Sequence, residues 1–257
     1  FFLKIFKLLP PELAHSFSLN SLNILYKFKI LRLFFNIPLN NKSYIVAGLE
    51  FNNRLGTAAG LDKNGDYINS LGELGFGFLE VGTITPKPQL GNSKPRVFRN
   101  FKENAIINRL GFNNKGVDYL VKNLKKRSYK GILGVNIGAN KDSKDNQRVK
   151  DYLICLEKVY KYCDYVTVNI SSPNTLNLRD FHNEDELKNL IQSIDLKVAE
   201  LEIKIPIFLK ISPDESNQAI DALIEILDKS YLSGVIVTNT TINKSNILNK
   251  KFRSIDG

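Results

Sequence analysis

The sequence predicts an α/β fold: a (β/α)8 TIM barrel, incomplete with about six of its eight strands present, behind an N-terminal helical extension. Three observations predict it. Short apolar runs alternate with longer helical patterns, as a parallel sheet with right-handed crossovers requires. Each run finishes in a polar or glycine-rich string, in order AAGLDK, VGTIT, NIGAN, NISSPN, LKISPD and TNTT. In a barrel such C-terminal strand ends converge on one mouth, whereas a doubly wound sheet spreads them along an edge with one crevice. The first 36 residues lack this alternation and read as helix throughout.

The elements follow in order. Phe2, Ile5, Phe6 and Leu9 share one helical face, with Lys4 and Lys7 on the other, which makes a short basic amphipathic helix suited to a membrane interface or to docking on its own domain. A second helical stretch runs from Pro11 to Phe35, with Glu12 its one acidic residue and His15 near its start. Residues 1–36 are thus expected to form a helical region and residues 37–257 the partial barrel. SYIVAGLEFNNRLG alternates and turns at Gly48, as a short hairpin would. The barrel strand candidates are Leu55–Ala59, Phe78–Gly82, Ile132–Asn136, Tyr165–Asn169, Ile205–Lys210 and Gly234–Asn239. Helical patterns between them include Asp151–Tyr162, Glu184–Leu201 and Glu215–Lys229.

Composition narrows the function classes. The 257 residues carry 36 Lys and Arg against 26 Asp and Glu, a net charge of +10, with 43% hydrophobic and 24% charged residues. That balance excludes a disordered tail, a fibrous repeat and a disulfide scaffold. Lysines are scattered apart from a run at Lys122 to Lys130, without an arginine-rich stripe, so no nucleic-acid partner is expected. Cys155 and Cys163 show no C-x-x-C pattern and read as buried helix-face residues. No apolar run reaches the roughly 18 residues of a membrane span, and Lys4 and Lys7 interrupt anything like a signal peptide. The absence of any Met suggests that the chain is a fragment.

The polar set at the strand ends is unusual in kind. It comprises Asn108, Asn136, Asn169, Asn174, Asn239, Ser172, Thr83, Thr238, Thr240, Lys63 and Lys210, without a histidine. Amides both donate and accept, so a ring of them suits a planar ligand with carbonyl and N–H edges, such as a pyrimidine or an isoalloxazine. It does not suit a metal, which favours His, Cys or carboxylate clusters. A lysine beside the pyrimidine side of a flavin would stabilise the anionic reduced ring. Ser172 sits on a stiff turn before Pro173 and could accept a proton with help from a neighbouring hydroxyl or water, while Ser171 points the other way if the strand continues. His182 reads as an exposed loop residue.

The strings AAGLDKNG (58–65), GFGFLEVGTITPKPQLGNSKPRVFR (75–99), INRLGFNN (107–114), GVNIGANK (134–141), DYLICLEKVY (151–160), VNISSPNT (168–175) and VTNTT (237–241) resemble a dihydroorotate dehydrogenase, specifically the quinone-dependent, membrane-associated class. The resemblance implies an FMN-bearing barrel that oxidises dihydroorotate to orotate in pyrimidine synthesis, with Ser172 as general base removing the C5 proton while hydride passes from C6 to the flavin. It implies FMN contacts at Ala59, Gly60, Thr83, Asn136, Asn169, Lys210 and Thr238. It implies a dihydroorotate pocket of Lys63, Asn108, Arg109, Leu110, Gly111, Phe112, Asn169, Asn174, Asn239 and Thr240. It also implies a quinone entering between the N-terminal helices, near His15, and a peripheral place on the cytoplasmic face of a bacterial inner membrane.

Three departures from the family pattern stand out. Ala139 replaces a usual lysine, and TLNLR (175–179) replaces TPGLR after the serine. The chain stops at Gly257, before the family's glycine-rich segments at strands seven and eight, so a C-terminally truncated barrel is expected. Two other readings remain at the sequence level. A tRNA dihydrouridine synthase would need a cysteine acid at a strand end. An inactive membrane-surface module would not need Ser172 and Lys63.

Overall fold

The computed structural model describes residues 6–34, 43–171 and 184–257. Helix α1 (Pro11–Lys27) starts on a proline, whose fixed φ and missing N–H suit the first helical position, and places Glu12 in its first turn and Lys27 in its last. The helix expected over 11–35 is interrupted: Lys29 takes φ 61°, and a single turn, α2 (Leu31–Phe34), follows. His15 lies within α1. Phe2 and Ile5 of the expected amphipathic face fall outside the described residues.

The hairpin at Gly48 forms as β1 (Tyr44–Val46) and β2 (Leu49–Phe51), with Gly48 at φ 78°. The short helix α3 (Ile68–Gly72) precedes β3 (Phe78–Ile84). A second antiparallel hairpin, β4 (Val97–Asn100) with β5 (Ala105–Asn108), was not expected from the sequence. Then α4 (Val117–Lys125), β6 (Ile132–Ile137), α5 (Asp145–Val159) and β7 (Tyr165–Asn169) alternate. They are followed by α6 (Glu184–Glu200), β8 (Ile207–Lys210), α7 (Asn217–Leu227), β9 (Gly234–Ile236) and α8 (Lys250–Arg253). Helix α7 begins after Ser216, whose hydroxyl accepts from the Ala219 N–H, which trims the helix expected from Glu215.

The five strands β3, β6, β7, β8 and β9 form one parallel sheet in that order. Each strand pairs with the next in the chain and no switch point reverses the order, which is barrel winding and not doubly wound winding. The sixth predicted strand, Leu55–Ala59, runs beside β3 but makes only one ladder bridge, Gly56 to Phe78. The reason is local: the Thr57 hydroxyl takes the Glu80 N–H at 3.0 Å, a bond that a backbone carbonyl would otherwise accept. Among the described residues the sheet is open beyond β9.

Alternation along the strands divides their side chains between two faces. Leu79, Val81, Leu133, Val135, Ile137, Val166, Val168, Ile207 and Leu209 join the buried core with Leu120, Leu156, Leu190 and Ile194 of the surrounding helices. The opposite face carries Glu80, Asn136, Thr167, Asn169 and Lys210, all buried. A bulge re-aims one position. Register slips between Val81 and Ile84, and Gly82 there takes φ 109° with the Asn136 carbonyl 2.3 Å from where a Cβ would sit, so only glycine fits.

Candidate active site

The C-terminal strand ends open into a cleft of about 540 Å³. Its floor comes from Ala59, Gly60, Thr83, Asn169 and Lys210, and Lys63, Asn239 and Thr240 stand around it. Asn108, Leu110, Gly111 and Phe112 close one side, and Pro11, Glu12 and His15 of α1 close another. Twelve of the residues expected from the sequence are thus brought together, from six separate segments. Their roles are taken up below as proposals.

Each wall has a local cause. Gly60 takes φ 108°, donates its N–H to the Gly82 carbonyl at 2.8 Å, and has open space where a Cβ would be, so bare backbone faces the cleft. The 108–112 run is held by Asn92, whose Nδ2 donates to the Arg109 carbonyl at 3.0 Å, and by Gln89, whose Nε2 donates to the Gly111 carbonyl at 3.1 Å. Helix α1 is fixed by Arg96, a buried guanidinium that ion-pairs with Glu12 at 2.8 Å and also donates to the Leu90 and Asn92 carbonyls. Tyr67 donates to Asn20 at 2.8 Å from the other side. The N-terminal helix therefore docks on its own domain, yet Leu13, Phe17, Ile24, Phe28, Leu33 and Phe34 of this region stay exposed.

Charges in the cleft are tuned by burial. Lys63 donates to Asn113 Oδ1 at 2.6 Å, and desolvation, then the nearby Arg96 cation, lower its pKa to about 8 against the opposing pull of Glu12. Burial, and next the Lys63 charge, also hold His15 below the usual histidine range. Lys210 is 8% exposed, and among the described residues its ammonium has neither a hydrogen-bond nor an ion-pair partner. A buried cation with no anion beside it among the described residues suits an anionic ring edge.

Some expected residues sit elsewhere. Asn136 lies one layer below the cleft, fully buried, and reaches it through Thr83, whose hydroxyl donates to Asn136 Oδ1 at 2.6 Å. Arg109 is turned away: its guanidinium donates to the Pro95 carbonyl, covers the Phe98 ring and faces Asp256. Thr238 lies off the cleft, with its hydroxyl on the Asn239 carbonyl. Ser172, Asn174, His182 and the 175–179 loop fall outside the described residues. The condition set for Ser171 is not met, because the strand does not continue. Strand β7 ends at Asn169, the alternation lapses, and the buried Ser171 hydroxyl bridges Asn169 and Asn239. Ala139 is fully buried in the core.

Several site residues carry no sequence signal of their own. Asn113, which holds Lys63, and Glu12, which holds Arg96 from 84 positions away, become partners only in the fold. Glu80 carries a signal in the sequence: one acid inside the apolar run FLEVG of a strand with two covered faces. Both cysteines are buried as expected, but only Cys155 lies on a helix, whereas Cys163 sits in extended backbone just before β7. Burial pushes both thiols up, so neither is placed as a reactive acid at the cleft. Among the described residues no group of three or more His, Cys, Asp or Glu could hold a metal, and no helix is long and apolar enough to cross a membrane.

Comparisons with known proteins agree on one family. The family model described as dihydroorotate dehydrogenase matches residues 43–257. A Buchnera aphidicola protein named dihydroorotate dehydrogenase (quinone) is 50% identical over 248 residues, which is 95% of this chain and 74% of that one. The protein of the same name from Acinetobacter baylyi is 48% identical, over 95% of this chain and 73% of its own length. Among solved structures, the Eimeria tenella DHODH in complex with ferulenol superimposes with a TM-score of 0.82 at 33% identity, over 96% of this chain and 71% of that one. The barrel winding, the amide-lined mouth and these matches together place it: the chain belongs to the dihydroorotate dehydrogenase family.

Proposed function

We propose that the cleft at the strand ends oxidises dihydroorotate to orotate in pyrimidine biosynthesis, with a bound flavin and a quinone as final electron acceptor. The observation that carries this reading is the chemistry of the cleft: a buried cation, Lys210, beside amide and hydroxyl groups at a mouth of about 540 Å³. The flavin is FMN, held by the Ala59–Gly60 backbone, Thr83, Asn169 and Lys210, with Asn136 acting through Thr83 and Thr238 acting from off the cleft through its bond to the Asn239 carbonyl. FMN, when bound, supplies an acceptor for the hydride that leaves C6 of the substrate.

The chain's own residues bind, orient and deprotonate. Lys63 offers its ammonium to the substrate carboxylate, and Asn113 fixes where that ammonium points. Asn108, Leu110, Gly111, Phe112, Asn174, Asn239 and Thr240 form the dihydroorotate pocket, and the amides among them match the N–H and C=O edges of the ring. Arg109 serves this run through its backbone, since its carbonyl anchors Asn92. Ser172 is the general base for the C5 proton. It directly follows Ser171, whose hydroxyl belongs to the hydrogen-bonded run through Asn169.

Residues 1–36 form the membrane and quinone-access region. The exposed Phe17, Ile24, Phe28, Leu33 and Phe34 rest on the cytoplasmic face of the bacterial inner membrane, and quinone reaches the cleft past His15 and Glu12. The test is an assay with FMN, dihydroorotate and a quinone in lipid vesicles. Orotate formation is expected. A protein that makes no orotate contradicts the activity. Vesicle co-sedimentation that is unchanged by Phe17→Asp with Phe28→Asp contradicts the membrane face.

A further inference from the structure

Three charged groups meet where α1 seats against the cleft. Arg96 is 6% exposed, and its Nε and Nη2 donate at 3.0 and 2.8 Å to the same atom, Oε1 of Glu12. Its Nη1 donates to the Leu90 and Asn92 carbonyls, which are neutral, so Glu12 is the anion among these partners. Lys63 stands close by. A Cβ on Gly91 would lie 2.9 Å from Arg96 Nη1 and 2.9 Å from Asn113 Cβ, and the Asn113 amide holds the Lys63 ammonium. Lys63 and Glu12 also line the same cleft.

The charges around Lys63 come from several elements. Glu12 and His15 belong to α1, Arg96 precedes β4, Lys115 precedes α4, Lys210 ends β8, and Asp62 and Asp66 share the Lys63 loop. The two aspartates are turned elsewhere. Asp62 accepts from the Asp66 and Tyr67 N–H groups, and Asp66 accepts from Tyr119, Asn123 and Lys115. Burial, and next Arg96, disfavour the proton on Lys63, and Glu12 favours it. Burial, and next Lys63, hold His15 below its usual range, so it adds no charge above that range. Like charges this close oppose each other, and Glu12 offsets one of the two.

We propose that Glu12 is a positioning residue for dihydroorotate binding: seated on Arg96, it cancels the guanidinium charge so that Lys63 meets the substrate carboxylate as an ammonium. The proposal rests on the reading of Lys63 given above. It gives the N-terminal helix a part in the substrate half of the reaction, beside quinone access, and makes docking of α1 a condition for tight substrate binding. Direct contact would have the opposite sign. An acid that met the anionic substrate itself would repel it, and its removal would tighten binding at every pH.

The test compares the parent, Glu12→Gln and Glu12→Asp, FMN-loaded and without quinone, in flavin reduction by dihydroorotate against pH. Both Arg96 bonds go to one Glu12 oxygen, so a glutamine carbonyl keeps them and only the charge is lost. Helix α1 stays tied by Tyr67 to Asn20 and by Tyr26 to Ser128. The break in kcat/KM, at about 8 in the parent, is expected about one pH unit lower in Glu12→Gln, the order of one nearby unit charge. Below the break Glu12→Gln should bind as well as the parent or better, so the two profiles cross. Glu12→Asp keeps the charge and should break close to the parent. An unmoved break in Glu12→Gln, or the same drop in Glu12→Asp, would overturn the proposal. A second measurement needs neither FMN nor turnover: trace acetylation of Lys63 against pH, read by peptide mass spectrometry, follows the lysine's own titration. The Glu12→Gln midpoint is expected about one unit below the parent's, and equal midpoints overturn the proposal alone. A shifted midpoint with no break in flavin reduction strikes Lys63 as a substrate ligand, and the proposal with it.

Discussion

The outward and inward faces of the same five strands differ in almost every physical respect. Leu133, Val135 and Ile137 point outward into helices, are fully buried, and have apolar neighbours. Asn136, one position from two of them, points inward, is equally buried, and joins the hydrogen-bonded run from Glu80 to Asn239. Burial alone therefore says nothing about role. The outward face stabilises by removing apolar surface from water, whereas the inward face holds polar groups in fixed orientations at the price of their desolvation. The difference teaches that folding and chemistry are assigned to alternate residues of one strand, so each can be perturbed without the other.

The largest expected effect lies on the chemical side. Ser172→Ala should slow flavin reduction by dihydroorotate roughly 10²–10⁴-fold, the usual worth of a general base, while FMN stays bound. Rapid-mixing absorbance measures it, and near-parental reduction would move the base elsewhere. On the outward face, Leu133→Ala should cost about 2–5 kcal/mol of stability in urea unfolding, with reduction by the folded fraction unchanged. A reduction rate that falls along with stability would mean that the two faces are not separable.

A smaller effect should follow pH. With its folded pKa lowered to about 8, Lys63 loses its charge above that pH, and kcat/KM for the anionic substrate should fall about tenfold per unit there. The bound carboxylate raises the lysine again, so kcat should stay flatter. The stability signs are opposite for two adjacent residues. Burial of the Lys63 cation destabilises most below pH 8, and the penalty is relieved as pH rises from there toward 10.5. Asp62, raised by burial to about 6 from 3.8, favours folding below 3.8 and loses that contribution as pH rises through 6. A pH-rate profile without a break near 8 would remove Lys63 from substrate binding. The smallest effect belongs to neither face: Lys158→Met breaks an exposed 2.6 Å pair with Asp118 and should change stability by less than about 1 kcal/mol.

Much of this arrangement is legible in the sequence because barrel strands advertise both their ends. Apolar runs mark Phe78–Gly82 and Ile132–Asn136, and the polar strings after them mark the mouth. What stays hidden needs the third dimension. Thr57 replaces a backbone acceptor with its hydroxyl, so Leu55–Ala59 looks like a strand and makes a single bridge. Arg96 reads as one basic residue among many until Glu12 is brought to it by α1. Glu80 reads as a stray acid because its partners come from β6 and β7, more than fifty positions away. The direction of Ser171 depends on where β7 ends, and it ends at Asn169.

The central claim is that the inward face forms a flavin site that takes hydride from dihydroorotate. Anaerobic mixing of the FMN-loaded protein with dihydroorotate, with no quinone present, tests it most directly. Complete bleaching of the oxidised flavin absorbance with release of one orotate per flavin is the predicted result. An unchanged flavin spectrum at saturating dihydroorotate would contradict it.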